Sequence, residues 1–187
     1  DLVIALGACA HTAGLNALKN FRPMRDAQEY VYGDKADWFD TMPARPLKDF
    51  VHVDFSLPGC PINKQEFLAV VKDLLAGKTP KLPDYPVCVE CKLRENVCMY
   101  HKGQICLGVI ARAGCNAHCP TFGGRCVACR GLIDQPNNQA AKDVMDEHGV
   151  TLERVLAEFR LYNGWNAMAE PPSTDAKQES MIMAAKR

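Results

Sequence analysis

Cys88-Val89-Glu90-Cys91, then Cys98 and Cys106, then Gly114-Cys115-Asn116-Ala117-His118-Cys119-Pro120 and Gly124-Arg125-Cys126-Val127-Ala128-Cys129-Arg130-Gly131, place eight cysteines between positions 88 and 129 of a 187-residue chain. Only Cys9 and Cys60 lie elsewhere. Four thiolates complete one tetrahedral zinc site or one cubane iron-sulfur cluster, so these eight offer two complete centres. Pro80, Pro83, Pro86 and Pro120, with Gly103, Gly108, Gly114, Gly123, Gly124 and Gly131, leave little room for long regular elements. The segment 79–134 therefore reads as an irregular metal domain whose stability comes from the metal where another domain would use a core.

The spacing runs Cys88-x2-Cys91-x6-Cys98-x7-Cys106 and, eight residues on, Cys115-x3-Cys119-x6-Cys126-x2-Cys129, which divides into two consecutive quartets. The two Cys-x2-Cys pairs alone also read as a long zinc ribbon, with four cysteines then left over. A disulfide scaffold is the third reading, but ten cysteines in this length is sparse for one. Between Cys88 and Gly131 stand Lys92, Arg94, Lys102, Arg112, Arg125 and Arg130 against Glu90 and Glu95, an excess of basic residues that would offset anionic tetrathiolate centres.

Upstream, residues 1–78 read as α/β. The apolar run Leu2 to Leu6 suits a strand covered on both faces, ended by Gly7 before a helix around Ala13 to Phe21. Val51, Val53 and Phe55 alternate with His52 and Asp54 as a second strand. Phe67, Leu68, Val70, Val71, Leu74 and Leu75 then recur at helical spacing after Asn63 and Glu66, which resemble a capping box, and Gly77 closes the helix. Strand, helix, strand, helix predicts part of a flavodoxin-like, doubly wound parallel sheet. Cys9, in Gly7-Ala8-Cys9-Ala10, and Cys60, in Pro58-Gly59-Cys60-Pro61, fall at the strand tips, where such sheets place ligands. Two ligands are half a cluster.

Residues 135–187 predict two short helices and a tail. Ala140 to His148 is stopped by Gly149; Thr151 caps a second helix with Leu152, Val155, Leu156 and Phe159 on one face and Asn163-Gly164 at its end. The polar stretch from Pro171 to Asp175 reads as an interaction arm or a disordered tail, and Met181-Ile182-Met183 beyond it favours weak docking over pure disorder. The charge balances at 22 basic and 22 acidic residues, which recommends neither nucleic acid nor an anionic membrane, and no apolar run reaches transmembrane length. The chain opens on Asp1 at the start of a strand-like run, which carries the expectation of a further N-terminal segment. His118 and His11 read as residues beside the cysteines and not as ligands; Trp38, Trp165, Phe39, Phe159 and Tyr162 are divided between a partner contact and packing.

Ala5-Leu6-Gly7-Ala8-Cys9-Ala10, Leu57-Pro58-Gly59-Cys60-Pro61-Ile62 and the cysteine block through Gly131 together resemble the small, electron-transferring subunit of nickel-iron hydrogenases over residues 1–131. They are most similar to its cytoplasmic branch, the viologen-reducing, deazaflavin-reducing and NADP-linked sulfhydrogenase types. The resemblance implies three sites. Cys9 and Cys60 are two of four ligands of a proximal 4Fe-4S cluster, the family drawing the other two from an N-terminal Cys-x2-Cys that has no counterpart before Cys9. Cys88, Cys91, Cys98 and Cys106 hold the distal cluster; Cys115, Cys119, Cys126 and Cys129 hold the medial one. Periplasmic relatives carry histidine where Cys88 stands and a proline near Cys119, so the resemblance implies all-cysteine cubanes and a cytoplasmic location.

It also implies a nickel-iron large subunit and flavin- or iron-sulfur-containing acceptor subunits as partners. The chain would belong to a hydrogenase as its electron conductor, with no catalytic residue of its own. A related quinone- or ferredoxin-linked respiratory complex and a zinc-stabilised binding module remain the alternatives.

Overall fold

Val3 and Asp54 start the only ladder seen among the described residues. The Val3 N–H donates to the Asp54 carboxylate at 2.8 Å, and the Asp54 N–H returns a bond to the Val3 carbonyl at 3.0 Å. From there β1 (Ile4–Leu6) runs parallel to β2 (Phe55–Leu57), with Ile4 opposite Phe55, Ala5 opposite Ser56 and Leu6 opposite Leu57. The computed structural model describes residues 2–168. Helices and a small parallel sheet make the class α/β.

The second strand starts later than the alternation at Val51 and Val53 predicts. A 3₁₀ turn at Leu47–Asp49 ties the N–H groups of Phe50 and Val51 back to the Leu47 carbonyl, so the chain is free to pair only beyond it. Ala5 and Leu57 are buried, but Leu2 and Leu6 are half exposed, because a two-stranded ribbon has no second layer to cover both of its faces.

Beyond β1 the chain turns at once into α1 (Gly7–Thr12), which carries Cys9. Ala13, at φ 62°, breaks direction, and the predicted helix forms as a 3₁₀ segment over Gly14–Phe21. An exposed helix α2 (Met24–Tyr32) follows. Helix α3 (Lys64–Leu75) matches its sequence signature at both ends. The Asn63 side chain accepts from the N–H groups of Gln65 at 2.9 Å and Glu66 at 3.1 Å, and Gly77 closes the turn at φ 69°. Its Glu66 carboxylate, however, turns away from the cap to an arginine, as described below.

The cysteine segment contains short pieces only: α4 (Val87–Leu93), 3₁₀ turns at Met99–Lys102 and Leu107–Val109, and α5 (His118–Thr121). It nevertheless has a core. Val87, Met99, Leu107, Ala111, Ala117 and Ala128 are buried together, so the expectation that metal stands in for apolar packing needs correcting: packing is present as well.

Helices α6 (Asn138–Glu147) and α7 (Leu152–Asn163) follow as predicted, with the Asn137 side chain capping the Ala140 N–H at 2.9 Å. Thr151 precedes α7 but makes no side-chain cap bond. Val155 and Phe159 pack on the core; Leu152 and Leu156 stay exposed, so the apolar face is narrower than expected. Two buried polar contacts fix α7. The Thr12 hydroxyl donates to the Tyr162 carbonyl at 2.7 Å, and the Asn163 amide donates to the Ala128 carbonyl at 3.0 Å. The C-terminal helix thus touches both the strand-tip region and the second Cys-x2-Cys pair. The expected polar arm around Pro171 to Met183 lies outside the described residues. Among those residues no helix is long and apolar enough to cross a membrane.

Candidate metal centre

The first quartet is assembled from one helix and two turns. Because α4 begins directly after Pro86, Cys88 and Cys91 sit three residues apart on one helical face. The Val87 N–H, bonded to the Ala111 carbonyl at 2.9 Å, ties that helix start to the loop carrying the rest of the segment. Cys98 and Cys106 each stand immediately before a 3₁₀ turn. Gly108 supplies the space: a Cβ there would lie 3.4 Å from the Cys88 sulfur and 3.6 Å from that of Cys106. Burial pushes the Cys88 thiol up to about 12, and the neighbouring thiols of Cys106, Cys91 and Cys98 push the same way. These four are therefore near one another.

The second quartet lines a cavity of about 160 Å³, which Cys115, Cys119, Cys126 and Cys129 share with Cys60. Asn116 and Ala117, at φ 57° and 47°, bend the chain sharply between Cys115 and α5, which carries Cys119. Burial raises the Cys126 thiol well above its ordinary value and the Cys129 thiol to about 11; the Cys60 N–H opposes the latter by hydrogen bonding to the Cys129 sulfur. The Cys126 N–H donates to the Cys106 sulfur at 3.3 Å, so a backbone bond joins the two quartets.

Cys9 and Cys60 are both exposed, at one end of the parallel pair. Gly14 lies against Cys9, where an added Cβ would come 3.1 Å from its sulfur. The Tyr162 hydroxyl hydrogen-bonds with Cys60; burial first and then the thiols of Cys60, Cys129 and Cys9 raise its pKa. Tyr162 is therefore part of this site. Trp38 is largely exposed, Phe39 stacks on Tyr32 with centroids 4.0 Å apart, and Trp165 lies under the Arg45 guanidinium.

His118 lines the second cavity and packs against the Phe122 ring. His11 is on α1 with its imidazole near Gly131, and burial, then Lys48, Arg112 and Arg130, lower its pKa. A spectator reading suits both, although His11 is more enclosed than a polar loop residue.

Two charged residues that the sequence shows only as charge prove to be central. Arg130 is 2% exposed; it donates to the carbonyls of Ala113 at 2.7 Å and Pro58 at 2.9 Å, and to both Glu66 oxygens at 2.7 and 2.8 Å. Glu90 is 8% exposed, and its carboxylate accepts the N–H groups of Gly114 at 2.7 Å and Ala117 at 2.9 Å. The basic excess is also partly spent. Arg112 pairs with Asp84 and Asp134, and Arg125 with Glu158, carboxylates that lie outside the stretch from Cys88 to Gly131.

All ten cysteines are free thiols, which removes the disulfide scaffold. Among the described residues no three His, Cys, Asp or Glu side chains converge on a point that would hold a single metal ion. A cubane carries sulfide and iron between its ligands, so its thiolates stand wider apart than those around one zinc. Buried thiols raised by desolvation stay protonated until a cationic centre displaces the protons, as metal binding to thiols requires. Glycine at 108, a sulfur-lined cavity and two sets of four thiols fit iron-sulfur clusters.

An α/β scaffold carrying these thiol donors fits an iron-sulfur protein of the oxidoreductases. The family model described as NADH ubiquinone oxidoreductase, 20 Kd subunit, matches residues 1–74. Over 167 residues the chain is 36% identical to the delta subunit of sulfhydrogenase 2 of Pyrococcus furiosus, covering 88% of this chain and 69% of the relative. It is 34% identical over 163 residues to a subunit of the vhu F420-non-reducing hydrogenase of Methanocaldococcus jannaschii, covering 72% of this chain and 57% of that one. A third relative, 22% identical over 182 residues, is the iron-sulfur subunit of the F420-non-reducing hydrogenase of Archaeoglobus profundus; 71% of this chain and 57% of that one are covered. The chain belongs to the hydrogenase electron-transfer subunit family, and spans between 57% and 69% of the length of these relatives.

Proposed function

We propose that this chain relays electrons between the nickel-iron site of a large subunit and a downstream acceptor. On this reading, the parallel pair is part of a flavodoxin-like sheet, and residues 79–134 form the domain holding two 4Fe-4S clusters. Cys88, Cys91, Cys98 and Cys106 hold the distal one, Cys115, Cys119, Cys126 and Cys129 the medial one. Cys9 and Cys60 give two ligands to a proximal third. Hydrogen yields two protons and two electrons in the large subunit, and each cluster when bound supplies a one-electron carrier.

The observation that carries the reading is the sharing of one cavity by the second quartet and Cys60. It brings Cys60 beside Cys115, Cys119, Cys126 and Cys129, and the Cys126–Cys106 bond brings the second set beside the first, an adjacency that supports this reading. Contiguity of this kind is what electron tunnelling through an insulator demands. The protein's part is to anchor, bury and hydrogen-bond the sulfurs, which sets their potentials.

The test is material purified without air. About eight iron and eight labile sulfide per chain, from the two complete quartets alone, is the expected minimum. Co-purification of a nickel-containing large subunit separates the hydrogenase reading from that of a respiratory complex. Stoichiometric zinc, or little iron and no sulfide, would overturn both.

A further inference from the structure

Glu90 stands in the first ligand helix but acts on the second ligand loop. Helix α4 carries it between Cys88 and Cys91, yet its two carboxylate oxygens reach across to the N–H groups of Gly114 and Ala117, on either side of Cys115. Its Oε2 lies 4.0 Å from the Cys115 sulfur. Among the described residues it has no ion-pair partner. The nearby cation, Arg130, is engaged by Glu66. A buried carboxylate left without a counterion keeps its field, because little solvent screens it.

We propose that Glu90 is a positioning residue that also sets the potential of the centre held by Cys115, Cys119, Cys126 and Cys129. Its two hydrogen bonds hold the Gly114–Ala117 turn, and its negative charge beside the Cys115 sulfur makes that centre harder to reduce than a neutral side chain would. This rests on the cluster reading above. An amide keeps only one of the two acceptor oxygens, so a mere turn brace would show its loss in how well the centre loads and not in the potential of a centre that does load, and the two roles separate by experiment.

The hydrogenase complex containing this chain is purified without air as wild type, Glu90→Gln and Glu90→Asp, assayed for iron and sulfide, and titrated by EPR against potential. At a fixed potential, the ratio of reduced to oxidised second centre should rise at least tenfold in Glu90→Gln, a shift of 59 mV upward for one electron. Glu90→Asp keeps the charge but retracts it by one methylene, and should give a smaller upward shift. Unmoved potentials in both variants, at wild-type iron content, would overturn the proposal and leave the cluster reading intact. If Glu90→Gln fails to load its iron, Glu90→Asp decides alone: no upward shift overturns the proposal. A wild-type complex without iron or sulfide would sink this proposal together with the reading beneath it.

Discussion

Arg130 and Glu66 meet as a two-pronged pair, both nitrogens of the fork on both carboxylate oxygens at 2.7 and 2.8 Å, with the arginine side chain 2% exposed and the glutamate 13%. The same guanidinium holds the Pro58 carbonyl two residues before Cys60 and the Ala113 carbonyl two residues before Cys115. One side chain therefore joins α3, the strand-tip loop and the cysteine segment. Removing it leaves a buried carboxylate and two carbonyls unpaired, which costs more than the pair itself is worth. Arg130→Met should lower stability by about 3–5 kcal/mol, read as a fall in the denaturation midpoint of anaerobic protein. Adding Glu66→Met should recover part of the loss, because the stranded charge is gone.

Gly114→Ala should reproduce much of that defect without touching either charge. At φ 110° the residue is in a conformation side chains rarely adopt, and a Cβ there would come 2.4 Å from an Arg130 Nη and 2.7 Å from a Glu66 oxygen. The fork must open or the turn must shift. Iron content of the second centre should fall, whereas Gly103→Ala, in open space at φ 69°, should leave it unchanged. Equal iron in both variants would mean that the fork tolerates displacement.

Arg125 and Glu158 give the contrast. They too meet at 2.9 and 3.0 Å, but their side chains are 39% and 21% exposed, so water screens them and solvates either partner alone. Glu158→Gln should cost no more than about 1 kcal/mol. A larger loss in the melting midpoint would mean that the contact of α7 with the cysteine segment depends on this pair.

The difference between these pairs explains what was legible in the residues alone. Cysteine spacing is legible because short loops between thiols keep neighbours in sequence close in space; that Cys60 joins Cys115, Cys119, Cys126 and Cys129 at one cavity is not. Asn63 and Gly77 mark α3 because a cap and a left-handed exit act within one helical turn. Glu66, Glu90 and Arg130 carry no such local signal: their partners lie 17 to 72 residues away and follow only from tertiary packing. Glu66 even mimics a capping box while serving Arg130. The late start of β2 belongs to the same class. Alternation at Val51 and Val53 is a true period of two, but the turn at Leu47–Asp49 has already taken up the Val51 N–H with which that strand would begin.

Single-ligand changes test the grouping itself. Cys88→Ser and Cys115→Ser should each remove one EPR-visible centre and about four iron per chain, and the double variant should remove both. Cys115→Ser should also stop electron exit to an acceptor dye while sparing hydrogen–deuterium exchange at the large subunit. If one substitution empties both centres, the Cys126–Cys106 bond has coupled them structurally, and the quartets do not load independently.

Removing the clusters should loosen the chain unevenly. Within 87–131 the longest helix is α4, of seven residues, and the sulfur-lined cavity opens through the middle of the segment, so ligation adds order that short elements cannot. The buried Val87, Met99 and Leu107 still pack without metal, which argues for partial rather than complete loss of structure. Helix α3, twelve residues long and capped at both ends, is tied to the segment by Glu66. Amide hydrogen exchange before and after anaerobic chelation should therefore show protection falling first at Cys115–Cys119 and Cys126–Cys129, where the thiols line the cavity, with α3 last to follow. Uniform loss across both regions would show that the Arg130–Glu66 fork transmits the collapse and that the two parts unfold as one unit.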